Sequence, residues 1–417
     1  MLSFFSDIIG MIKESPRNFK VLIARSSIAR FNFSIQSYDS IYTVNLGASE
    51  TQLGITASVT SGMTSIFSIL TGWVSDRSDR KTMILIGMFF QLLSPAIYFV
   101  AKSWTWIILA TALMGIGNGF VIPAYISMYA DSVSNEVRGT TYGIAMSIAM
   151  IPSLIAPPIV GAIVEYYGGL NVSGIKTVYP IRIGVISIGI FLIYKFLIDK
   201  QKKMPLLRQA PIKSVINDYK AIVDIKGTKA WFFMKSFGSL SLGMVSPLWM
   251  LYAASVGGAS ALTIAFMVTS RRVANIITSP IIGKFVDSIG RKKMIFISRL
   301  IMYVGTLFFL FFHEPWQLIV IWIVMGISDS AMVAWTVQTD EMVPMSYRSR
   351  FNALDQASFN LLSAPAAILG GFLWESVTPM MPFLLMIIID AGVRMPLIHF
   401  LVPESKREEK QILEKTL

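Results

Sequence analysis

Twelve apolar segments, each long enough to cross a lipid bilayer, make up most of this chain of 417 residues. A membrane-spanning helix needs about 20 mainly apolar residues. Segments of this kind lie at 20–45, 52–74, 82–101, 105–130, 138–165, 177–198, 230–254, 260–284, 293–312, 316–340, 350–375 and 379–402. Only 14% of the residues are charged, against about 25% in a soluble domain. The sequence therefore predicts an all-α membrane protein with twelve transmembrane helices, numbered here as spans 1 to 12.

Positive charge is concentrated in alternate connections between these spans. Basic residues gather in the N-terminal segment, in the connections after spans 2, 6, 8 and 10, and in the C-terminal tail. Two lysines, Lys102 and Lys176, lie in the other connections. Cytoplasmic loops of membrane proteins carry an excess of Lys and Arg, so we expect both termini in the cytoplasm. The same placement assigns the net charge of +12 to membrane topology and argues against nucleic acid as a partner.

A short motif occurs twice in the chain, 211 residues apart. The first copy is Gly72-Trp-Val-Ser-Asp76-Arg77-Ser-Asp-Arg80-Lys81, and the second is Gly283-Lys-Phe-Val-Asp287-Ser-Ile-Gly-Arg291-Lys-Lys. Met114-Gly115-Ile116 and Met325-Gly326-Ile327 recur at the same offset. Parallel repeats of this kind relate the two halves of some transporters. We expect a six-helix bundle at 1–198, a cytoplasmic linker at 199–229, and a second six-helix bundle with a cytoplasmic tail at 230–417.

The duplicated motif resembles the cytoplasmic loops between helices 2 and 3, and 8 and 9, of major facilitator superfamily (MFS) secondary transporters. The resemblance covers about residues 18 to 403. It implies two pseudo-symmetric bundles that work by alternating access, with spans 1, 2, 4, 5, 7, 8, 10 and 11 around a central cavity. It also implies a cytoplasmic gate formed by Gly72, Asp76, Arg77, Arg80, Gly283, Asp287 and Arg291.

Physical chemistry gives each part of this gate a role. The glycines would let helices cross closely because they have no side chain. The aspartates could cap the positive end of a neighbouring helix. The basic residues could pair with acids at the cytoplasmic ends of other spans, for which the candidates are Asp131, Asp340, Glu341 and Asp355. The alternative is that the basic residues are only a topology signal.

Ionisable residues inside the spans are candidate functional residues, because burying a charge in a membrane is costly. A rise of about 1.5 Å per residue puts several polar residues near one level on four cavity-lining spans: Arg30, Asn118, Arg271, Arg272 and Asp329. Adjacent helical residues point about 100° apart, so only one of Arg271 and Arg272 can face the cavity squarely and the other could turn onto Asp329. The alternative is a buried ion pair that fixes helix packing.

Other residues complete the candidate site. Asp329 is the first candidate for carrying a proton and Asp39 the second. Tyr38, Trp249 and Trp335 are candidate cavity-wall residues, although an aromatic residue in a span more often faces lipid or core. Asp390 and Arg394 lie four residues apart on one helical face, where we favour an internal ion pair over a substrate role.

These residues predict a secondary active transporter for a small organic solute. The midplane arginines favour a carboxylate- or phosphate-bearing anion, since Arg binds such groups with a bidentate fork, and we expect proton coupling. The alternative is a multidrug efflux antiporter for lipophilic or cationic compounds. Span 5 supports this alternative in part, since Ala156-Pro157-Pro158-Ile-Val-Gly161 keeps the first Pro and the last Gly of the antiporter motif Gly-Pro-x-x-Gly-Gly. Arg30 and Arg272 oppose it unless acids neutralise both, and Thr111 stands where many MFS exporters have Arg.

Other functional classes fit less well. A receptor or scaffold would not need two copies of a gate, and a channel would not need gates for alternate sides. The chain lacks cysteine and a phosphate-binding loop, and its two histidines, His313 and His399, lie near opposite surfaces. We therefore expect no enzyme activity, no metal and no cofactor. A monomer in the cell membrane is the expected form.

Overall fold

A computed structural model describes residues 16–75, 79–131, 138–199, 220, 222–225, 227–343 and 348–402. All regular elements among these residues are helical. In chain order the main helices are α1 Arg17–Ser34, α2 Asp39–Asn45, α3 Glu50–Ser75, α4 Arg80–Val100, α5 Trp104–Asp131, α6 Arg138–Tyr166, α7 Val172–Lys176, α8 Val178–Phe196, α9 Thr228–Val245, α10 Trp249–Ser255, α11 Ala261–Ile289, α12 Arg291–Phe311, α13 Pro315–Ser330, α14 Met332–Glu341, α15 Arg348–Ser376, α16 Met381–Ile389 and α17 Met395–Leu401.

The helices follow the predicted spans closely. Most observed ends lie within about three residues of the predicted ones, with two exceptions. Span 6 begins early, because the short α7 precedes α8. Span 8 runs on to Ile289, so Gly283 and Asp287 lie in the last turns of α11 rather than in a loop.

Ten helical segments of the described chain are long and apolar enough to cross a membrane. The two predicted spans outside this set are span 1, formed by α1 and α2, and span 8, formed by α11. Both carry arginines inside their length: Arg25 and Arg30 in α1, and Arg271 and Arg272 in α11. These arginines lower the hydropathy of spans 1 and 8. Charged residues inside a span are also candidate functional residues.

Four of the described spans contain an interruption, and one of these interruptions recurs between the halves. Span 1 breaks between α1 and α2, where Ile35 is followed by a short 3₁₀ turn, and span 7 breaks after Val245. These two breaks lie about 211 residues apart, as the sequence motifs do. Span 10 bends at Ala331 between α13 and α14, and span 12 contains a π-helical turn at Asp390–Arg394. Such local deviations commonly accompany functional sites.

The helices that follow the two copies of the motif begin in different ways. Asp79 is the N-cap of α4, and its Oδ2 accepts a hydrogen bond from the Thr82 amide at 3.2 Å. At the corresponding place Gly290 joins α11 to α12 with a φ of 105°, a conformation that glycine adopts at little cost. The duplicated motif thus connects its helices by an aspartate cap in one half and by a left-handed glycine in the other.

Two compact units divide the chain. The first comprises Met1–Ala48, Val59–Pro205 and Ser260–Ala265, and the second comprises Ser49–Ser58, Leu206–Ala259 and Phe266–Leu417. Phe19, Leu22, Ile84 and Met88 pack in the core of the first unit. Ile222, just before α9, is fully buried in the core of the second. Helices α3 and α11 each belong to one unit at their start and to the other over the rest of their length.

Candidate functional site

An arginine–aspartate pair links α11 to α13 in the second unit. The Arg271 Nε donates to Asp329 Oδ2 at 2.7 Å, and its Nη2 donates to Oδ1 at 3.1 Å. The guanidinium carbon lies 5.0 Å from the centre of the Trp322 ring. Both side chains remain partly exposed, at 31% for Arg271 and 43% for Asp329. One of the two adjacent arginines thus turns onto Asp329, and the pair is accessible enough to exchange partners.

A glycine allows the two helices that carry this pair to approach each other. A Cβ atom at Gly326 would lie 2.3 Å from the Arg271 carbonyl oxygen, which is far inside van der Waals contact. In the first unit, a Cβ atom at Gly115 would lie 2.6 Å from the Thr60 carbonyl oxygen. Gly115 and Gly326, and Thr60 and Arg271, are separated by the repeat offset. Each half therefore has the same close helix crossing. The residue at the crossing is Thr60 in the first half and Arg271 in the second.

In the first unit, Asn118 faces span 3. Its Oδ1 accepts a hydrogen bond from Gln91 Nε2 at 2.8 Å, which joins α5 to α4. Asn118 corresponds to Asp329 in the repeat. The residue at this repeat position therefore bonds to the Gln91 side-chain amide in the first half and to Arg271 in the second.

Arg30 belongs to a basic group on α1 that faces Tyr125 of α5. The Arg25 guanidinium lies 5.0 Å from the centre of the Tyr125 ring, and the Ser26 hydroxyl shares a hydrogen bond with the Tyr125 hydroxyl. Arg30 is close enough to Tyr125 to interact with it electrostatically. The first unit therefore carries a cationic group on α1 beside Tyr125.

Lys235 of α9 pairs with Asp355 of α15 in the second unit. The lysine Nζ donates to Asp355 Oδ2 at 2.9 Å, and the Trp231 indole nitrogen donates to Oδ1 at 2.9 Å. The sequence had offered Asp355 as a partner for the gate loops. It joins spans 7 and 11 instead, since both of its oxygens are occupied by α9.

A third pair joins span 6 to span 1. Arg182 Nη1 donates to both carboxylate oxygens of Asp39, at 2.7 and 2.8 Å, and its Nε donates to Asn32 at 3.0 Å. Arg182 is fully buried, whereas the Asp39 side chain is 20% exposed. The rings of Tyr98 and Tyr179 flank the guanidinium. Asp39 is therefore held by a cation that the sequence interpretation did not identify.

The fourth pair is sealed inside the second unit. Arg394 Nη1 donates to Asp390 Oδ1 at 2.9 Å, and Tyr303 donates to Oδ2 at 2.7 Å. Arg299 Nε lies 3.6 Å from the same oxygen, and the Asp390 side chain is 0% exposed. The expected internal ion pair is present and is part of a larger cluster that involves the π-helical turn.

Comparison with known proteins identifies the family. A sequence profile of the Major Facilitator Superfamily matches residues 26–248 and 231–416. The chain belongs to the Major Facilitator Superfamily. Among curated relatives, the multidrug resistance protein MdtG of Salmonella schwarzengrund (strain CVM19633) is 25% identical over 294 residues, which are 69% of each chain. MdtG of Salmonella typhimurium (strain LT2) also matches, with 25% identity over 69% of each chain.

Solved MFS-like transporters have the same fold at low sequence identity. The nucleoside transporter NupG has a TM-score of 0.73 and 13% identity, covering 92% of this chain and 98% of its own. A peptide transporter POT in complex with sulfate has a TM-score of 0.70 and 13% identity, covering 93% and 94%. This MFS protein is therefore an all-α, multi-pass membrane transporter and not an enzyme.

The gate predicted for this MFS protein is described only in part. Asp76 and Arg77 lie outside the described residues, and Gly72 lies in α3. The Arg80 side chain is buried, and its amide donates to Asp199 Oδ2 at 2.8 Å. In the second copy Arg291 is buried and lies 3.3 Å from Glu341 and 3.8 Å from Asp287. Glu341 is thus a partner of the basic motif, as expected.

The expectation for Gly283 is wrong. A Cβ atom at this position would meet no atom of the described residues within 4 Å. Gly283 therefore does not mark a close crossing in this structure, and the close crossings of α11 lie nearer its middle and its start.

The three aromatic candidates have different surroundings. Trp335 is buried between Arg394 and Arg299, whose guanidinium carbons lie 4.3 and 5.2 Å from its ring centre. Tyr38 is buried and donates to the Ala261 carbonyl at 2.9 Å. Trp249 packs against Phe309, Trp322 and Phe383. The Trp322 ring contacts both Trp249 and Arg271. Trp249 is therefore the one of these three aromatic residues that is linked to the Arg271–Asp329 pair through a neighbouring ring.

Proposed function

We propose that this MFS protein is a secondary active transporter that couples the movement of a small anionic organic solute to protons by alternating access. It acts as a monomer in the cell membrane with both termini in the cytoplasm. The substrate carries a carboxylate or phosphate group. Arg271 binds that group, and Asp329 carries the proton.

The balance of charge inside the described spans carries this proposal. Nine basic side chains lie more than one turn from the ends of their spans: Arg25, Arg30, Arg182, Lys235, Arg271, Arg272, Lys284, Arg299 and Arg394. Four acidic side chains do so: Asp39, Asp329, Asp355 and Asp390. Each of these acids already bonds to one of the bases. A surplus of positive charge within a membrane is costly, and an anionic substrate would offset it.

The geometry of Arg271 and Asp329 supports coupling of the substrate to a proton. The carboxylate occupies the same fork of donors that a substrate carboxylate or phosphate would occupy. Protonation of Asp329 removes its charge and frees the Arg271 fork for the substrate. Proton and substrate then favour each other's binding, and by linkage the effect is reciprocal. Such mutual preference is the thermodynamic basis of co-transport in one direction.

A thermal-stability panel tests the charge of the substrate. Purified protein is heated with matched anionic and cationic organic compounds, and a ligand that binds only the folded state raises the melting temperature. We expect the anionic compounds to raise it and the matched cationic compounds to leave it unchanged. Stabilisation by cations alone would contradict an anionic substrate.

A second candidate function is multidrug efflux. The MdtG relatives are named multidrug resistance proteins, and Trp249 and Trp322 form an aromatic group beside Arg271. Export of lipophilic cations would add positive charge to spans that already hold more basic than acidic side chains. Stabilisation by lipophilic cations with no response to anions would favour this candidate.

A further inference from the structure

Five charged side chains inside the second unit form a cluster with more positive than negative charge. Arg299 of α12 and Arg394 of the π-helical turn both lie beside one carboxylate, Asp390. Lys235 is close enough to interact electrostatically with both arginines, but its charge is balanced by Asp355. Counted over the described side chains, this charge cluster has three bases and two acids. The surplus lies where the two arginines share Asp390.

Both oxygens of Asp390 accept a hydrogen bond from a donor other than Arg299. Oδ1 accepts from Arg394 Nη1 at 2.9 Å, and Oδ2 accepts from the Tyr303 hydroxyl at 2.7 Å. Arg299 Nε remains 3.6 Å from Oδ2, which is beyond the usual length of a hydrogen bond. Arg299 is therefore the cation of this group that has the weaker contact with the shared carboxylate.

Other donors of the two arginines meet sulfur. Arg299 Nη1 donates to Met302 Sδ at 3.1 Å, and Arg394 Nε donates to Met234 Sδ at 3.4 Å. A thioether is a weak acceptor, and an arginine cannot give up its charge in a protein. Among the described residues, Arg299 has no hydrogen bond to an oxygen. Its guanidinium therefore lacks the strong acceptor that a cation inside a membrane protein requires.

Arg299 lies on the buried face of α12. It is four residues from Ile295 and seven from Thr306, both of which are fully buried, and residues at these spacings share one face of a helix. The neighbouring exposed residues of α12, Ile297 and Leu300, lie on another face. The 12% of the Arg299 side chain that remains exposed therefore opens toward the interior of the unit rather than toward lipid.

The ring of Trp335 lies against both arginines. Its centre is 5.2 Å from the Arg299 guanidinium carbon and 4.3 Å from that of Arg394. Such contacts attract a cation to the ring, but they neutralise neither charge. On the other side, a Cβ atom at Gly238 of α9 would lie 2.6 Å from the Arg394 guanidinium carbon, so this glycine leaves room for the side chain. The fold thus accommodates a cation in excess, which is costly unless an anion offsets it.

We propose that Arg299 binds a small inorganic anion of the size of chloride in the interior of the second unit, beside Arg394 and Trp335. The anion accepts hydrogen bonds from the Arg299 guanidinium and brings the net charge of the charge cluster to zero. A monovalent anion matches the surplus of one charge, whereas a dianion would leave the opposite excess. Binding of this anion needs no substrate, so the proposal is independent of the proposed function.

Thermal denaturation of the purified protein tests the site with chloride as the probe. Sodium chloride replaces sodium fluoride stepwise at constant ionic strength, and an anion that binds only the folded state raises the melting temperature. Chloride, and bromide in its place, should raise the melting temperature of the wild-type protein, because fluoride is smaller and costs more to remove from water. Strongly hydrated anions stabilise folded proteins through general exclusion, so a general salt effect would run in the opposite direction.

Three variants separate binding from folding. Arg299→Gln should weaken the apparent affinity for chloride about tenfold, as the loss of a hydrogen bond to a charged group implies. It should still fold, since Asp390 keeps Arg394 and Tyr303. Arg299→Lys keeps the charge and should retain part of the response. Arg17→Gln is the control, because Arg17 donates to backbone carbonyls at the end of α8, and it should respond to chloride as the wild type does.

Two outcomes of the melting experiment would overturn the proposal. An equal response to chloride in wild type and Arg299→Gln would mean that the effect does not need Arg299. No response in the wild type would mean that the charge cluster holds no exchangeable anion, as it would if Lys235 were neutral.

Bromide also allows a direct measurement. Wild-type crystals soaked in sodium bromide should show an anomalous scattering peak within hydrogen-bonding distance of the Arg299 guanidinium, and crystals of Arg299→Gln should show none there. Bromide peaks confined to the surface of the protein, or a peak at the same place in both proteins, would contradict the assignment of the anion to Arg299.

Discussion

Arg271 binds Asp329 with two donors of one guanidinium edge, and both side chains of the pair remain partly exposed. The Asp390–Arg394 pair has similar bond lengths but is almost completely buried. Exchange of a partner requires access, so the exposed pair is suited to binding and the buried pair to holding helices together. The first prediction follows from this difference.

Replacement of Arg271 by Lys should weaken binding of the anionic substrate about tenfold. Lysine keeps the charge but loses the planar fork that binds a carboxylate with two hydrogen bonds, and tenfold corresponds to about 1.4 kcal/mol. Binding is measured by titration of the compound that stabilises the wild-type protein most. Arg17→Lys is the control, because the Arg17 guanidinium donates to the backbone carbonyls of Phe196 and Lys195 at the end of α8. An equal loss of binding in both variants would contradict a role for Arg271 in binding the substrate.

Replacement of Gly326 by Ala should destabilise the protein by about 1–3 kcal/mol, the usual cost of overpacking. The added Cβ would collide with the backbone of Arg271, and backbone cannot move aside as a flexible side chain can. Gly305→Ala is the matched control, since its Cβ would make ordinary contacts of 3.5 Å or more with Met325 and Val324. Thermal denaturation should show a lower midpoint for Gly326→Ala alone. Equal midpoints would mean that α11 and α13 can separate without cost.

The sequence predicted the spans, the repeat and the candidate charges from local patterns, because hydropathy and residue spacing are local properties. The Arg271–Asp329 pair was among its alternatives, since both residues lie at one depth. Arg182 and Arg299 were missed, although the rule that intramembrane charges are functional candidates would have found both. The 212-residue offset between Arg182 and Arg394 was a second available signal.

Other features could not be found from one sequence. The depth of a residue does not say which neighbour it faces, so Trp335 was assigned to a cavity wall when it lies between two arginines. Asp355 was one of four candidate partners for the basic residues of the gate, whereas it bonds to Trp231 and Lys235 of α9. The hydrogen bonds from the Ala261 amide to Glu165 and from the Thr51 amide to Glu375 join residues about 100 and 320 positions apart, and such contacts depend on packing.

Replacement of Arg182 by Gln should destabilise the protein by about 3–5 kcal/mol, because removing one partner of a buried pair leaves the other charge uncompensated. The double variant Arg182→Gln with Asp39→Asn should recover part of this loss, since it removes both charges. Thermal unfolding of the three variants measures the effect. If Asp39→Asn alone is stable and loses only the response to a proton gradient, Asp39 is a proton carrier rather than a structural partner.

Asp79, which lies just outside span 3, should stabilise α4 in a pH-dependent way. Burial raises the pKa of its carboxyl, but hydrogen bonds, led by the one from the Thr82 hydroxyl and including those from the Thr82 and Lys81 amides, outweigh burial and lower the pKa below the ordinary 3.8. A lowered folded-state pKa means that the stabilisation is present above the ordinary pKa and is lost as pH falls through the folded-state value.

Asp79→Ala should therefore cost about 1 kcal/mol near pH 7, as removal of an N-cap does, and the difference from wild type should shrink below pH 4. Asp79→Asn keeps a capping oxygen and should show no such pH dependence. Melting temperatures of the three proteins across this range measure both effects. A difference between wild type and Asp79→Ala that grows on acidification would contradict the capping role.

Proton-driven uptake by Asp329→Asn proteoliposomes tests the central claim most directly. The solute is the anionic compound selected by the stability panel, an inward proton gradient is imposed, and Glu314→Gln in the same helix is the control. We predict that wild type and Glu314→Gln accumulate the solute, and that Asp329→Asn still binds it but accumulates about tenfold less or not at all, since a tenfold change corresponds to about 1.4 kcal/mol. Accumulation by Asp329→Asn with an unchanged dependence on the gradient would contradict the assignment of the proton to Asp329.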